Sequence, residues 1–268
     1  MAAPRPVRQA RAPSVLAAYV LHRYDWSESS LVLDVFTRES GRLPVIAKGA
    51  KRPYSQLRPV LLPFQRLFVT LGKPPKAGEA GDAVEAGGEV RLLRGAEWAG
   101  GSAMLTGAAL FSGFYLNELL MKLLARQDPH PELFDAYAAT LPSLASADDA
   151  VTQAALRAFE LTLLLRLGLL PDLTVVTATQ QSVALDGGYA LLPEVGLVSA
   201  RPSDTPISGT DLVGVQAALE HGSIPALQQA CGRVLPALRS QLRALLHYHL
   251  GSNVLRTRQV MIGVQSLG

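Results

Sequence analysis

The spacing of apolar side chains changes near residue 100 of this 268-residue chain, and that change restricts the folds it can adopt. Before this point, short runs rich in β-branched and aromatic residues predict strands. They lie at about 15–24, 30–36, 42–47, 64–71 and 90–94. Beyond this point, apolar residues recur at helical spacing. The pattern therefore predicts an α+β protein whose β part precedes a mainly helical part.

Strands of this number and length favour a five-stranded β-barrel of the OB type, formed by residues 15–100. Residues 1–14 carry three arginines among small residues and prolines, which indicates a flexible basic arm. Residues 73–89 are mostly Gly, Ala, Pro and acids, and predict a long loop inside the barrel domain. Residues 101–268 then form the predicted helical domain.

Helices are predicted within 103–126, 130–144 and 149–167, and again within 237–251 and 254–261. Asp148 or Asp149 can cap the third helix, and Gly168 can end it in the left-handed conformation. This helix looks central, because one apolar face is opposed only by a narrow polar stripe. Between the two helical regions, residues 172–200 predict a β-hairpin that turns at Gly187 and Gly188.

Charge is distributed unevenly along the chain. Residues 1–76 hold 13 Lys and Arg against 4 Asp and Glu, whereas residues 77–220 hold 7 against 18. Residues 221–268 hold 5 basic residues and no acid. A basic module followed by an acidic one is typical of a protein in which one part meets a polyanion.

The stretch VIAKGAKRPYS, residues 45–55, places cations at a chain reversal, and we expect no acid nearby. Phosphates would relieve the repulsion among these cations, and a nearby tyrosine could stack on an unpaired base. The candidate DNA-binding residues are Lys48, Lys51, Arg52, Tyr54, Arg58 and Arg66. A solvated turn, with Tyr54 packed in the loop, is the alternative interpretation.

Catalytic chemistry is not indicated by the residues present. Cys231, the only cysteine, lies in an apolar helical setting, which is typical of a buried thiol. His247 and His249 are two positions apart on a helix and point away from each other, so they do not form a metal pair. We therefore expect no enzyme activity, no cofactor and no bound metal. One thiol and no disulfide framework favour a reducing, cytoplasmic compartment.

Several stretches resemble the bacterial RecO recombination mediator family. They are FTRESGRLPVIAKGAKRPYSQLRPVLLPF (36–64), GFYLNELLMKLL (113–124), HPELFDAY (130–137), ALRAFELTLLLRLGLLPDL (155–173) and LRALLHYHLGSNVLRTRQVM (242–261). The resemblance implies an OB domain, a helical domain and a nucleoid-associated role in DNA repair without a covalent reaction. It implies binding of single-stranded and double-stranded DNA, annealing of single strands, and work with RecR and single-stranded DNA-binding protein to load RecA.

Two residue-level expectations follow from this resemblance. Arg157, in the ALRAFE stretch, is the candidate for binding the acidic C-terminal tail of single-stranded DNA-binding protein, with an intrahelical pair to Glu160 as the alternative. Many family members carry a four-cysteine zinc module, but residues 174–198 here contain no cysteine, so zinc is not carried over. A protein-interaction adaptor with an OB-like barrel is the alternative function.

Overall fold

The computed structural model describes residues 15–72, 90–100, 104–251 and 255–257. These residues form two compact units. The first unit contains the described residues up to 37 and those from 43 to 100. The second contains residues 38–42 and the described residues from 104 onward. The predicted basic arm (1–14) and the predicted loop (73–89) lie outside the described residues, as does most of the predicted helix at 254–261.

Five strands close into a barrel in the order β1-β2-β3-β5-β4, as predicted. They are β1 (Val15–Asp25), β2 (Leu31–Thr37), β3 (Gly41–Ala47), β4 (Leu67–Leu71) and β5 (Arg91–Trp98). Strands β3 and β5 pair in parallel, while β4 pairs antiparallel with both β1 and β5. This is an OB-type barrel.

Alternating side chains along the strands fill the barrel interior. Ala18 and Val20 of β1 meet Leu33 and Val35 of β2 in one buried cluster. A register shift between Val20 and His22 interrupts the pairing of β1 with β2. Such a bulge re-aims the side chains beyond it. The last residues of β1, from His22 to Asp25, are exposed.

The second unit is mainly helical, as predicted. Its helices are α1 (Gly107–Leu123), α2 (Pro131–Leu144), α3 (Asp149–Arg166), α4 (Gly209–His221), α5 (Ile224–Gly232) and α6 (Leu235–Leu250). Helix α3 packs against α1, α2, α5 and α6. Its residues from Ala154 to Leu164 are all buried, which confirms its predicted central place.

Both predicted ends of α3 are confirmed. The Asp148 side chain accepts a hydrogen bond from the Ala150 backbone N–H at 2.8 Å, which satisfies a donor that the first helical turn leaves unpaired. Gly168 follows the helix with φ +69°, a conformation that glycine adopts without a Cβ clash.

A three-stranded sheet occupies the region where a hairpin was predicted, but the turn lies elsewhere. Its strands are β6 (Gly188–Leu192), β7 (Gly196–Ser199) and β8 (Ile207–Ser208). The loop joining β6 to β7 is Pro193 to Val195, whereas Gly188 is the first residue of β6 and pairs with Ser208. The predicted turn at Gly187 and Gly188 is therefore wrong. Glu194 supplies the positive φ of +64° that this tight connection needs.

None of the helices in the described ranges is long and apolar enough to cross a membrane.

Candidate nucleic-acid interface and partner cleft

The basic segment after β3 forms a series of turns on the barrel unit. Gly49 has φ +73°, and the Arg52 backbone N–H donates to the Gly49 carbonyl at 3.1 Å, so the chain reverses at the glycine. Lys48, Arg52 and Arg58 are exposed, and Tyr54 is 95% exposed. The packed-loop alternative for Tyr54 is therefore wrong: its ring is free to meet a base.

Lys51 differs from its neighbours because it has an acidic partner. Its Nζ lies 3.0 Å from Asp25 Oδ1 and donates to the Ser27 carbonyl at 3.0 Å. The expectation that these cations lack a nearby acid is therefore wrong for Lys51, since the end of β1 brings Asp25 next to the turn. Asp25 is itself 81% exposed, so the pair is screened by water and contributes little stability.

Strand β1 and the basic turns enclose a groove of about 400 Å³ in the barrel unit. Its lining includes Arg23, Lys51 and Arg58, with Asp25 as the acid. We call this the barrel groove. Arg23 also donates to the Leu61 carbonyl at 3.4 Å, which directs its side chain toward the groove. Three guanidinium or ammonium groups against one carboxylate leave a net positive charge in the groove.

Arg23 was not among the predicted site residues. It lies on β1 beyond the bulge, directly opposite the buried Leu33 of β2. Paired residues point to the same face of a sheet, so Arg23 lies on the face of β1 that carries the barrel core. The charge surplus of residues 1–76 was the one sequence signal for it, because the groove forms only when β1 and the turns meet.

Exposed aromatic rings lie on the same stretches of chain as the groove residues. Tyr24 follows Arg23, and Trp26 precedes the loop whose Ser27 carbonyl binds Lys51. Both rings are about two-fifths exposed. Tyr24 also makes an edge-to-face contact with His22, with ring centroids 4.4 Å apart. Basic side chains combined with exposed rings are typical of surfaces that bind single-stranded nucleic acids.

The structure brings together only part of the predicted set. Lys51 and Arg58 share the barrel groove, while Lys48, Arg52 and Tyr54 lie on the adjoining turns. Arg66 precedes β4, is half-buried, and does not line the groove.

Arg157 lies in the helical unit, at a second concave site of about 170 Å³. We call this the helical cleft. Its polar lining includes Arg157 from α3 and Arg239, Arg243 and His247 from α6. Its apolar lining includes Phe111, Leu156, Leu246 and Leu255. Arg239 and Arg243 are exposed and lie one helical turn apart, so both can reach one ligand.

Arg157 is buried and forms the intrahelical pair that was the alternative interpretation. Its Nη2 lies 2.6 Å from Glu160 Oε1, and the Tyr115 hydroxyl donates to the same oxygen at 2.6 Å. Burial raises the pKa of Glu160, although Arg157, Tyr115 and Arg239 act in the opposite direction. Arg157 nevertheless lines the helical cleft, so the pair and a ligand-binding role are compatible.

Cys231 is fully buried on α5, as expected for a structural thiol. Burial raises its pKa to about 12, so it carries almost no thiolate at neutral pH and is a poor nucleophile or metal ligand. Within the described ranges, no three His, Cys, Asp or Glu side chains lie close enough together to hold a metal ion. The expectation that the protein binds no zinc stays a prediction.

Comparison with known proteins covers both units. Residues 15–78 match the family described as Recombination protein O N terminal, and residues 104–259 match Recombination protein O C terminal. The chain is 53% identical over 252 residues to "DNA repair protein RecO" of Polaromonas naphthalenivorans, covering 93% of this chain and 96% of the relative. It is 50% identical over 252 residues to the protein of the same name from Albidiferax ferrireducens, covering 93% and 95%. With both terminal regions matched and half of the residues shared across most of the chain, the protein belongs to the RecO family.

Proposed function

We propose that this protein acts in DNA repair as a recombination mediator that binds and anneals single-stranded DNA. The observation that carries the proposal is the barrel groove, which Arg23, Lys51 and Arg58 line together. Exposed aromatic residues lie close to these cations in the sequence. Its relatives are named DNA repair proteins, which supports the same role. The proposal includes cooperation with RecR and the loading of RecA onto strands coated by single-stranded DNA-binding protein.

The groove and the adjoining turns would contact different parts of a bound strand. Arg23, Lys51 and Arg58 would contact consecutive phosphates, and Lys48 and Arg52 would extend that contact along the turns. Phosphate contacts hold the strand in position without reading its sequence. The exposed rings of Tyr54 and Trp26 would stack on bases, a contact that every base can make. Arg66 stays a more peripheral candidate, because it lies outside the groove.

Annealing of complementary oligonucleotides tests the proposed function directly. We expect the purified protein to speed pairing by at least about tenfold at low salt, the lower end of what electrostatic steering achieves. The measurement is the rate of fluorescence quenching between two labelled complementary strands. A matched reaction with non-complementary strands controls for aggregation. Failure to bind DNA at low salt, together with no gain in rate, would refute the mediator function and favour the protein-interaction adaptor.

The helical cleft suits the acidic tail of single-stranded DNA-binding protein. A tail that ends in acids and an apolar residue needs cations beside a hydrophobic surface. The cleft offers Arg239 and Arg243 at its open side, Arg157 in its wall, and apolar side chains such as Leu156 and Leu246. Arg157 Nε also has no hydrogen-bond acceptor among the described residues. The pair with Glu160 therefore leaves one N–H donor of the guanidinium without an acceptor. We assign tail recognition to these three arginines.

Substituting Arg239→Ala and Arg243→Ala together is expected to weaken tail binding by at least about tenfold. The reason is that each hydrogen bond to a charged group contributes roughly 1.5–3 kcal/mol. Both arginines are exposed, so the change leaves the buried Arg157 pair intact. Fluorescence anisotropy would measure the affinity of a labelled peptide of two aspartates followed by an apolar residue with a free carboxylate. The matched control is the double variant Arg201→Ala with Arg233→Ala, since both of these arginines are also exposed. Equal loss of peptide affinity in the two double variants would contradict the assignment of tail binding to the helical cleft.

A further inference from the structure

A fully buried carboxylate lies behind the arginines of the helical cleft. Glu160 has no exposed surface and is on the same face of α3 as Arg157, three positions along. Groups from three other helices surround it: Tyr115 of α1 donates to it, while Arg239 of α6 and Cys231 of α5 interact with it electrostatically. Glu160 is thus an acid next to a cleft whose charged lining side chains, among the described residues, are cations.

The pairing of Glu160 with Arg157 is incomplete. One contact joins Nη2 to Oε1, while Glu160 Oε2 and Arg157 Nε are buried without hydrogen-bond partners among the described residues. A carboxylate and a guanidinium can instead form two parallel hydrogen bonds, which satisfy both groups more fully. Burying such a pair removes two charges from water at a large cost, and well-packed apolar residues often stabilise a fold as well or better. Stability alone therefore does not explain the pair.

We propose that Glu160 is the internal counter-ion that sets how strongly the helical cleft attracts a carboxylate-terminated peptide. This inference rests on the proposed tail recognition. In the free protein, Glu160 holds Arg157 in the cleft wall and neutralises part of its charge. When a peptide carboxylate enters, Glu160 stays in place and repels it, so the attraction of the three arginines is reduced. Glu160 is a positioning residue that acts through Arg157 and does not touch the ligand.

Substituting Glu160→Gln tests this inference, because the amide keeps the shape and an oxygen that accepts from Arg157 and Tyr115 but removes the negative charge. We expect the peptide of two aspartates and an apolar C-terminal residue to bind about tenfold more tightly, equivalent to about 1.4 kcal/mol. The gain should shrink with added salt and with a peptide amidated at its C-terminus. A residue with only a structural role would lower affinity when changed, so the sign of the effect is decisive.

Glu220→Gln is the matched control, since it makes the same charge change at an exposed position of α4 outside the cleft. If Glu160→Gln does not fold, a double variant serves instead: Arg157→Gln with Glu160→Gln replaces the buried ion pair by two neutral amides. This double variant should bind the peptide more tightly than the single variant Arg157→Gln. If removing the Glu160 charge leaves the affinity for the peptide unchanged or lowers it, Glu160 is not the counter-ion that limits peptide binding. Absence of peptide binding by the unmodified protein would instead overturn the tail-recognition function on which it rests.

Discussion

We expect the triple variant Arg23→Ala, Lys51→Ala and Arg58→Ala to bind single-stranded DNA with a weaker dependence on salt. The slope of log affinity against log salt should fall in magnitude by about 2. Each phosphate contact contributes about 0.7 to this slope for single strands, because it releases condensed counterions. The three side chains line one groove, so one strand can meet all of them. The loss should be similar for every sequence tested, since phosphates carry no base information.

Binding measured by anisotropy from low to moderate salt would give the two slopes. The variant Arg166→Ala, Arg201→Ala and Arg233→Ala removes the same charge from exposed positions of the helical unit and serves as the control. A melting curve establishes that both variants are folded. Parallel salt lines for the groove variant and the unmodified protein would contradict the groove as the DNA site and support the solvated-turn interpretation.

Substituting Arg157→Met is expected to lower the free energy of unfolding at neutral pH by about 3–5 kcal/mol, the range for removing one partner of a buried ion pair. The variant leaves the fully buried Glu160 with the Tyr115 hydrogen bond and no adjacent cation on its own helix. Methionine fills a similar volume, so most of the loss would come from the unpaired carboxylate and little from a cavity. Denaturant unfolding followed by circular dichroism measures the change.

The pH dependence of this loss has a definite sign. Burial already raises the pKa of Glu160 in the folded protein, and removing Arg157 takes away a cation that lowers it. Between the unfolded and folded pKa values, the folded state binds more protons than the unfolded state. Stability of the variant should therefore recover as the pH falls through this window and decline as the pH rises. The double variant Arg157→Met with Glu160→Met should recover most of the lost unfolding free energy, because it leaves no unpaired charge. A decrease in the free energy of unfolding below about 1 kcal/mol for Arg157→Met would contradict this explanation.

Patterns within short stretches of sequence determined much of the fold. The β-branched and aromatic runs predicted all five barrel strands, because the preference of these side chains for extended backbone acts within a short stretch. The ends of α3 at Asp148 and Gly168 were predictable for the same reason: a cap acts within one or two residues. The hairpin turn was misplaced because Gly187 and Gly188 suit a turn locally, yet pairing with β8 makes Gly188 part of a strand.

Which charged residues meet depends on how the elements pack in three dimensions. The order of residues was enough to show that cations are concentrated in the first 76 residues and that Arg157 and Glu160 are close enough on one helix to pair. It did not reveal that Asp25 binds Lys51, that Arg23 joins Lys51 and Arg58, or that Arg239 and Arg243 share a cleft with Arg157. Each of these contacts joins segments that lie tens of positions apart in the chain. Their contacts depend on how strands close into a barrel and helices pack, which local periodicity does not encode.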